Sequence, residues 1–291
     1  MIIRGMWLLI LGTGLYFTAL FCQRQTDGFS IERITSYFPK NVTWCDSAAL
    51  SASQSQELRE ALAQSFRYLG CGGQCFAFVS EDNHYVLKLF KTHFNLFSPI
   101  TLLKLPFFSQ EKRERKLERA LFKLRRDFNS YLISGTELKK ETGTLFVHLK
   151  ESGNLNKKVR IYDKLGIAHV LDLDRFAFAV QRKATLAFYH LSSLIETGQT
   201  IKAKLAMSAL LELVRQRCHK GFKDEDIRVE CNCGFIEDQP FFIDMGRFVE
   251  DNSRKDAESA QKDMQAVADQ LRLWIEKHYP YLTKSFCEIF P

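Results

Sequence analysis

The sequence predicts an α+β chain in two lobes: a five-stranded antiparallel sheet with one long helix, then a reduced helical lobe, with an apolar helix ahead of both. Three observations predict it. Between Tyr68 and Phe90, short alternating runs of aromatic and branched residues are separated by glycines and by a polar turn, the pattern of consecutive hairpin strands. From about Ser109, Leu117, Leu121, Leu124, Phe128, Tyr131 and Leu132 recur at three- and four-residue intervals, which gives a helix an apolar stripe. From Gly221 to Gly246, two acidic segments flank a short apolar hairpin pattern.

The chain has 291 residues, 46% hydrophobic and 26% charged, a globular composition with enough length for a sizeable core. Its formal charge of +7 is uneven. Lys112, Arg113, Arg115, Lys116, Arg119, Lys123, Arg125 and Arg126 crowd the long helix with four acids between them, which reads first as a solvated face. Aromatic residues are not interleaved as a nucleic-acid groove requires, so no nucleic acid is expected as a partner. Of the eight cysteines, Cys71, Cys75, Cys231 and Cys233 fall in Cys-x3-Cys and Cys-x-Cys pairs. That spacing departs from the usual zinc ribbons, and small residues beside glycines are the simpler reading.

Residues 1–25 open with Arg4 and an apolar run from Met6 to Cys22, closed by Gln23-Arg24-Gln25. About 17 to 20 apolar residues match a bilayer's hydrocarbon core, which predicts a signal anchor or a signal peptide. Leu20-Phe21-Cys22 lacks the small residues a signal peptidase prefers, so the expectation is a single-pass membrane anchor, or secretion if the segment is cleaved. Arg4 and Arg24 stand on opposite sides and leave the orientation open. Residues 26–55, with Pro39-Lys40-Asn41, read as a linker beside the membrane, and Asn41-Val42-Thr43 matches a glycosylation sequon. A short helical pattern fills Ser55 to Ala63.

The first informative stretch is Leu69-Gly70-Cys71-Gly72-Gly73-Gln74-Cys75, followed after a polar hairpin by Tyr85-Val86-Leu87-Lys88-Leu89-Phe90. Glycines at such a turn let backbone N–H groups approach phosphate oxygens, and a lysine on the facing strand neutralises them. Lys91 to Phe108, with Pro99 and Pro106, separates this unit from the long helix. Thr144 to Leu149 and Phe176 to Val180 complete the expected sheet, and Ala184 to Thr197 and Ile201 to Cys218 are helical by spacing. The acidic stretch follows: Asp224 and Asp226, then Asn232, then Gly234-Phe235-Ile236 and Pro240 to Ile243 as a hairpin carrying Asp244. Two carboxylates and an amide so placed are hard-oxygen groups suited to magnesium and a nucleotide.

Gly221-Phe222-Lys223-Asp224-Glu225-Asp226 resembles the Gly-x-x-His-Arg-Asp of a protein-kinase catalytic loop, Asp244-Met245-Gly246 resembles Asp-Phe-Gly, and Val86-Leu87-Lys88 resembles the Ala-x-Lys strand. From roughly Tyr68 to Phe248 the chain resembles a divergent, minimal member of the protein-kinase-like superfamily, of the abbreviated bacterial type. The resemblance implies a lobe over 56–181 and a reduced lobe over 182–291, with ATP and Mg as cofactors. It implies that Asp226 is the catalytic base, that Asp224 takes the histidine's place, and that Lys88 clamps the phosphates beneath Gly70, Gly72 and Gly73. Asp127 is the first candidate for the helix acid that pairs with Lys88, ahead of Glu118. Gln181 begins the connection where adenine lies, and Asp244 and Asn232 hold the metal.

Four departures accompany it: Cys75 replaces the third glycine, Val86 stands where alanine is usual two residues before the lysine, Glu225 replaces the arginine before Asp226, and Asn232 stands six residues after Asp226 where five is usual. Beyond Gly246 there is a helix over Asp256 to His278 and little room for the large lobe that docks polypeptides. The expected function is a membrane-anchored, Mg- and ATP-dependent phosphotransferase whose acceptor, a protein or otherwise, is open. The alternative is a pseudokinase, a nucleotide-binding or protein-interaction scaffold.

Overall fold

The computed structural model describes residues 2–35, 50–91 and 110–286. The sequon at Asn41, most of the linker after residue 35, and the Pro99–Pro106 segment lie outside the described residues. The first helix, α1 (Ile2–Gln25), is followed by the short α2 (Ile31–Ile34) and by α3 (Ala52–Leu62). The α3 start is a reciprocal cap, in which Ser51 Oγ accepts from the Gln54 amide and Gln54 Oε1 accepts from the Ser51 amide.

The expected membrane anchor is corrected here. Among the described residues, no helix is long and apolar enough to cross a membrane. Along the described side chains of α1, Leu11, Leu15, Phe17, Leu20 and Phe21 alternate with Gly12, Thr13, Gly14, Tyr16 and Thr18, which dilutes the apolar run. The helix ends where Thr26 and Gly28 close its last turn, and Asp27 ties it to the body through Tyr68 Oη at 2.8 Å and Lys164 Nζ at 2.9 Å.

Strands β1 (Phe66–Cys71), β2 (Cys75–Ser80) and β3 (Tyr85–Phe90) form the expected antiparallel meander, with a register shift between Tyr68 and Gly70. The long helix is α4 (Gln110–Gly135), followed by a single turn, α5 (Lys139–Thr142). β4 (Thr144–His148) comes next. Then β5 (Lys158–Tyr162) and β6 (Ala168–Asp172) add a hairpin before β7 (Phe178–Arg182). The sheet therefore has seven strands, in the order β4-β7-β3-β2-β1-β5-β6, instead of the five expected, and β5 joins β1 in parallel instead of antiparallel register. The reason is local: Val159 and Ile161 alternate with Lys158 and Arg160, so β5 buries one face beside β1 while the other meets solvent.

The sheet is covered on both faces. Phe76, Phe78, Leu87 and Leu89 join Phe29, Leu58 and Ile161 in one core, while Phe90, Val147 and Ala179 join Phe128 and Tyr131 of α4 in the other. This second core continues into the helical part: β8 (Thr185–Leu186), α6 (Ala187–Glu196), α7 (Thr200–His219), β9 (Phe222–Asp224), α8 (Val229–Asn232), β10 (Cys233–Ile236), β11 (Gln239–Phe242), β12 (Phe248–Glu250), α9 (Ala257–His278) and α10 (Thr283–Phe286). Two small ladders position the acidic segments: β10 pairs with β11 and β8, and β9 pairs with β12. Gly234 permits the first, because a Cβ there would stand 2.6 Å from the Thr185 carbonyl. Gly221 enters the second at φ +81°, a conformation that glycine adopts without steric cost.

Candidate functional site

Strand alternation decides where Lys88 points. Its neighbours Leu87 and Leu89 are fully buried on one face, so Lys88 projects from the other, toward the segment that carries Asp244. There lies a cleft of about 720 Å³, walled by Gly72, Gly73 and Lys88 above, by Gln181 to Leu186 at one end, and by Asp226 and Asp244 below. Six of the ten expected residues meet here: Lys88, Gly72, Gly73, Gln181, Asp226 and Asp244. The other four, Gly70, Asp127, Asp224 and Asn232, do not line it.

Lys88 Nζ donates to the Ile243 carbonyl, one residue before Asp244. Burial pulls its pKa down, while the neighbouring Cys75 and Asp244 act to hold it up. Asp127 is paired elsewhere: its carboxylate accepts from Arg126 Nη2 at 2.8 Å and Nε at 3.1 Å. The α4 side chain that meets Lys88 is Tyr131, one turn further on, with its ring centroid 6.0 Å from Nζ and its hydroxyl 3.7 Å from Cys75 Sγ. Burial raises the Tyr131 pKa well above that of an ordinary phenol, and burial also pushes the Cys75 thiol up.

Asp226 is held by its neighbours. Arg228 forms a two-point pair with its carboxylate, at 2.8 and 2.7 Å, and these hydrogen bonds lower its pKa. Asn232, 4% exposed, donates Nδ2 to the Asp226 carbonyl at 2.6 Å, and its own carbonyl accepts from the Ile243 amide at 2.8 Å. One asparagine thus fastens the Asp226 loop to the strand leading to Asp244. Asn232 ends the single turn of α8. Asp224 lies beneath, buried, accepting the Asp226 amide at 2.9 Å. Asp244 Oδ1 accepts from the Gly246 amide at 3.1 Å, an Asx turn that fixes its side chain.

Among the described residues, no group of three or more His, Cys, Asp or Glu side chains is placed to hold a metal ion, so the cysteine-zinc reading finds no support. Magnesium asks for less: one or two protein oxygens, with phosphates and water completing the octahedron. Asp244, on the cleft wall, fits that demand, whereas Asn232 stands outside the lining. Because the Asn232 nitrogen is committed to the Asp226 carbonyl, its other amide atom is the oxygen Oδ1, now taking a contact of 3.1 Å from Cys231 Sγ.

Sequence reasoning missed four residues. Arg228 has a signal, a cation two positions after Asp226, whereas Tyr131 has none beyond its place in the apolar stripe. Gln74, inside the glycine-rich turn, donates Nε2 to the Gly246 carbonyl at 2.9 Å. Arg217, the largest fully buried side chain among the described residues, lies under the acidic loop and carries no local signature.

No protein-family model and no curated protein matches the chain. Solved structures do. The chain is similar to the bifunctional kinase-methyltransferase WbdD, at 17% identity over 71% of this chain and 38% of that one, with a TM-score of 0.31. WbdD bound to the kinase inhibitor LY294002 gives 16% identity over 74% and 39%, with a TM-score of 0.33. Rv3197 of Mycobacterium tuberculosis in complex with erythromycin gives 13% identity over 80% and 63%, with a TM-score of 0.34. The chain spans about two fifths of the length of WbdD and under two thirds of that of Rv3197.

Proposed function

We propose that this chain is a kinase-like phosphotransferase using ATP and Mg, with its two lobes meeting near Gln181 and Arg182. One observation carries the reading: Lys88 and Asp226, 138 positions apart in the sequence, share one cleft with Asp244, and Lys88 is bonded to the residue preceding Asp244. Phosphoryl transfer is mainly positioning and charge neutralisation, and these groups are the ones it needs. Gly72 and Gly73 leave backbone amides accessible to phosphates, Lys88 clamps them, and the Gln181-to-Leu186 connection receives the base. Asp244 and Asn232 Oδ1 would hold the metal, which supplies neutralisation of phosphate charge when bound. Asp226, kept ionised by Arg228, orients the acceptor hydroxyl and takes its proton.

A second reading, a nucleotide-binding or protein-interaction scaffold, draws on two contacts: Gln74 bridges the glycine-rich turn to Gly246, and Arg228 occupies both oxygens of Asp226. The thermal shift with ATP and Mg, read together with ATP turnover, separates the readings. A ligand at ~100 times its dissociation constant stabilises by about 2.7 kcal/mol. The expected result is a Mg-dependent rise that Asp244→Ala abolishes and Asp226→Ala retains, with ATP turnover lost in both. Absence of a shift at millimolar ATP removes the phosphotransferase reading. A shift of equal size in both variants, with turnover intact, removes the residue assignment.

A further inference from the structure

Arg217, on α7, is fully buried, and its Nε and Nη1 have no hydrogen-bond partner. Its Nη2 donates to Asp263 of α9, and its Nη1 lies 3.8 Å from Asp224 Oδ2. A buried cation with idle donors is costly unless the arrangement serves something beyond stability. The surroundings indicate what. Asp263 takes Arg254 Nη1 on its other oxygen at 2.9 Å, Arg254 Nε reaches Asp251 at 3.0 Å, and the Asp251 amide donates to the Gly221 carbonyl at 2.8 Å. The chain of charges therefore returns to the start of the loop that ends in Asp226. At the other end, Asp224 Oδ1 accepts the Asp226 amide.

We propose that Arg217 is a positioning residue for Asp226: it acts through Asp224, whose carboxylate lies 3.8 Å from Arg217 Nη1 and accepts the Asp226 amide, which sets the direction of the Asp226 side chain. The inference rests on the assignment of Asp226 as the reacting carboxylate. The need for a cation is electrostatic. Burial raises the Asp224 pKa, and Asp226, Asp244 and the Cys233 thiol face it from its own loop, from the segment after β11 and from β10. The Asp226 amide and Arg217 are the groups that favour its charge. The motif lacks an arginine before Asp226, and α7 supplies one from below.

The test uses the full chain labelled with nitrogen-15 aspartate, without nucleotide, so that it does not depend on ATP binding. Amide exchange at Asp226 is followed in the parent chain, in Arg217→Met and in Arg217→Lys. The loss of one charge-assisted hydrogen bond predicts exchange accelerated roughly tenfold in Arg217→Met and largely restored by Arg217→Lys, with Asp82 and Asp269, which do not touch Arg217, unchanged. Equal rates in Met and Lys variants, or an unchanged Asp226 in Arg217→Met, overturn the proposal. If Arg217→Met does not fold, Asp224→Asn decides: the same acceleration at Asp226 supports the proposal, and protection like the parent's overturns it. A positive exchange result without any Mg-ATP shift would keep this device and remove the phosphotransferase reading, and the converse pattern would do the reverse.

Discussion

Lys88 is 8% exposed, and burial lowers its pKa, so the fold carries a cation where an apolar side chain would sit at less cost. Its folded pKa lies below the unfolded value of about 10.4, so the unfolded chain binds this proton more tightly. The stability tied to Lys88 is therefore lowest below the folded pKa and is recovered as pH rises from there toward ~10.4. Lys88→Met is expected to stabilise the protein by roughly 1 kcal/mol at pH 7 and, on the proposed function, to weaken nucleotide binding, the trade expected where a site needs a buried charge. The advantage should shrink as pH rises from the folded pKa of Lys88 toward ~10.4. Denaturant unfolding at pH 7, 8.5 and 10 checks both statements. Destabilisation by Lys88→Met at pH 7 would mean that the bond to the Ile243 carbonyl outweighs the cost of burial. At this scale the sequence was informative where chemistry is tied to chain order, as for Lys88, Asp226 and Asp244. It was less so at Asp127 and Tyr131, which are four residues apart on one helix face. Which turn of α4 meets Lys88 depends on how far the helix slides along the sheet, and no residue type records that.

Among the elements, the β5–β6 hairpin extends the sheet beyond the five expected strands. Its attachment is one-sided: Ile161 is fully buried and Val159 nearly so, while Val170 of β6 stands 63% exposed. Ile161→Ala is expected to cost about 2–5 kcal/mol, and Val170→Thr to stay within about 0.5 kcal/mol. Similar costs at both positions, measured by denaturant unfolding, would show that the hairpin buries both faces. The hairpin escaped sequence reading because each strand is five residues long and its partner is β1, about 90 positions away, in parallel register. The β1–β2–β3 meander was legible because its neighbours in space are its neighbours in sequence, and α4 because 26 residues give periodicity room to repeat. The membrane helix was a reading of hydropathy alone, and the glycines and threonines of α1 are the residues it weighed too lightly.

In the whole molecule, the segment from Phe242 to Phe248 is where the sheet meets the helical part, and side chains from the sheet side take its carbonyls in turn. Gln181 Nε2 takes Phe242 at 3.0 Å, Lys88 takes Ile243, Ser130 Oγ takes Met245 at 2.5 Å, and Gln74 Nε2 takes Gly246 at 2.9 Å. With its carbonyls held from one side, Asp244 is free to face the cleft. Ser130 has the most at stake. It is fully buried, donates to the Met245 carbonyl and accepts from the Phe248 amide at 2.5 Å, so its hydroxyl satisfies two backbone groups from another part of the chain. Ser134, also fully buried and one turn along α4, donates only to the Tyr131 carbonyl of its own helix at 2.6 Å and to no distant strand. Ser130→Ala should therefore cost about 2–4 kcal/mol, the penalty of leaving a buried donor and a buried acceptor unmade, whereas Ser134→Ala should cost about 1 kcal/mol or less. Denaturant unfolding measures the difference, and equal costs would show that the segment is held by packing instead. Since the same hydroxyl holds the segment carrying Asp244, the proposed nucleotide site predicts that Ser130→Ala, at a temperature where it is still folded, also lowers Mg-nucleotide affinity, while Ser134→Ala leaves it unchanged.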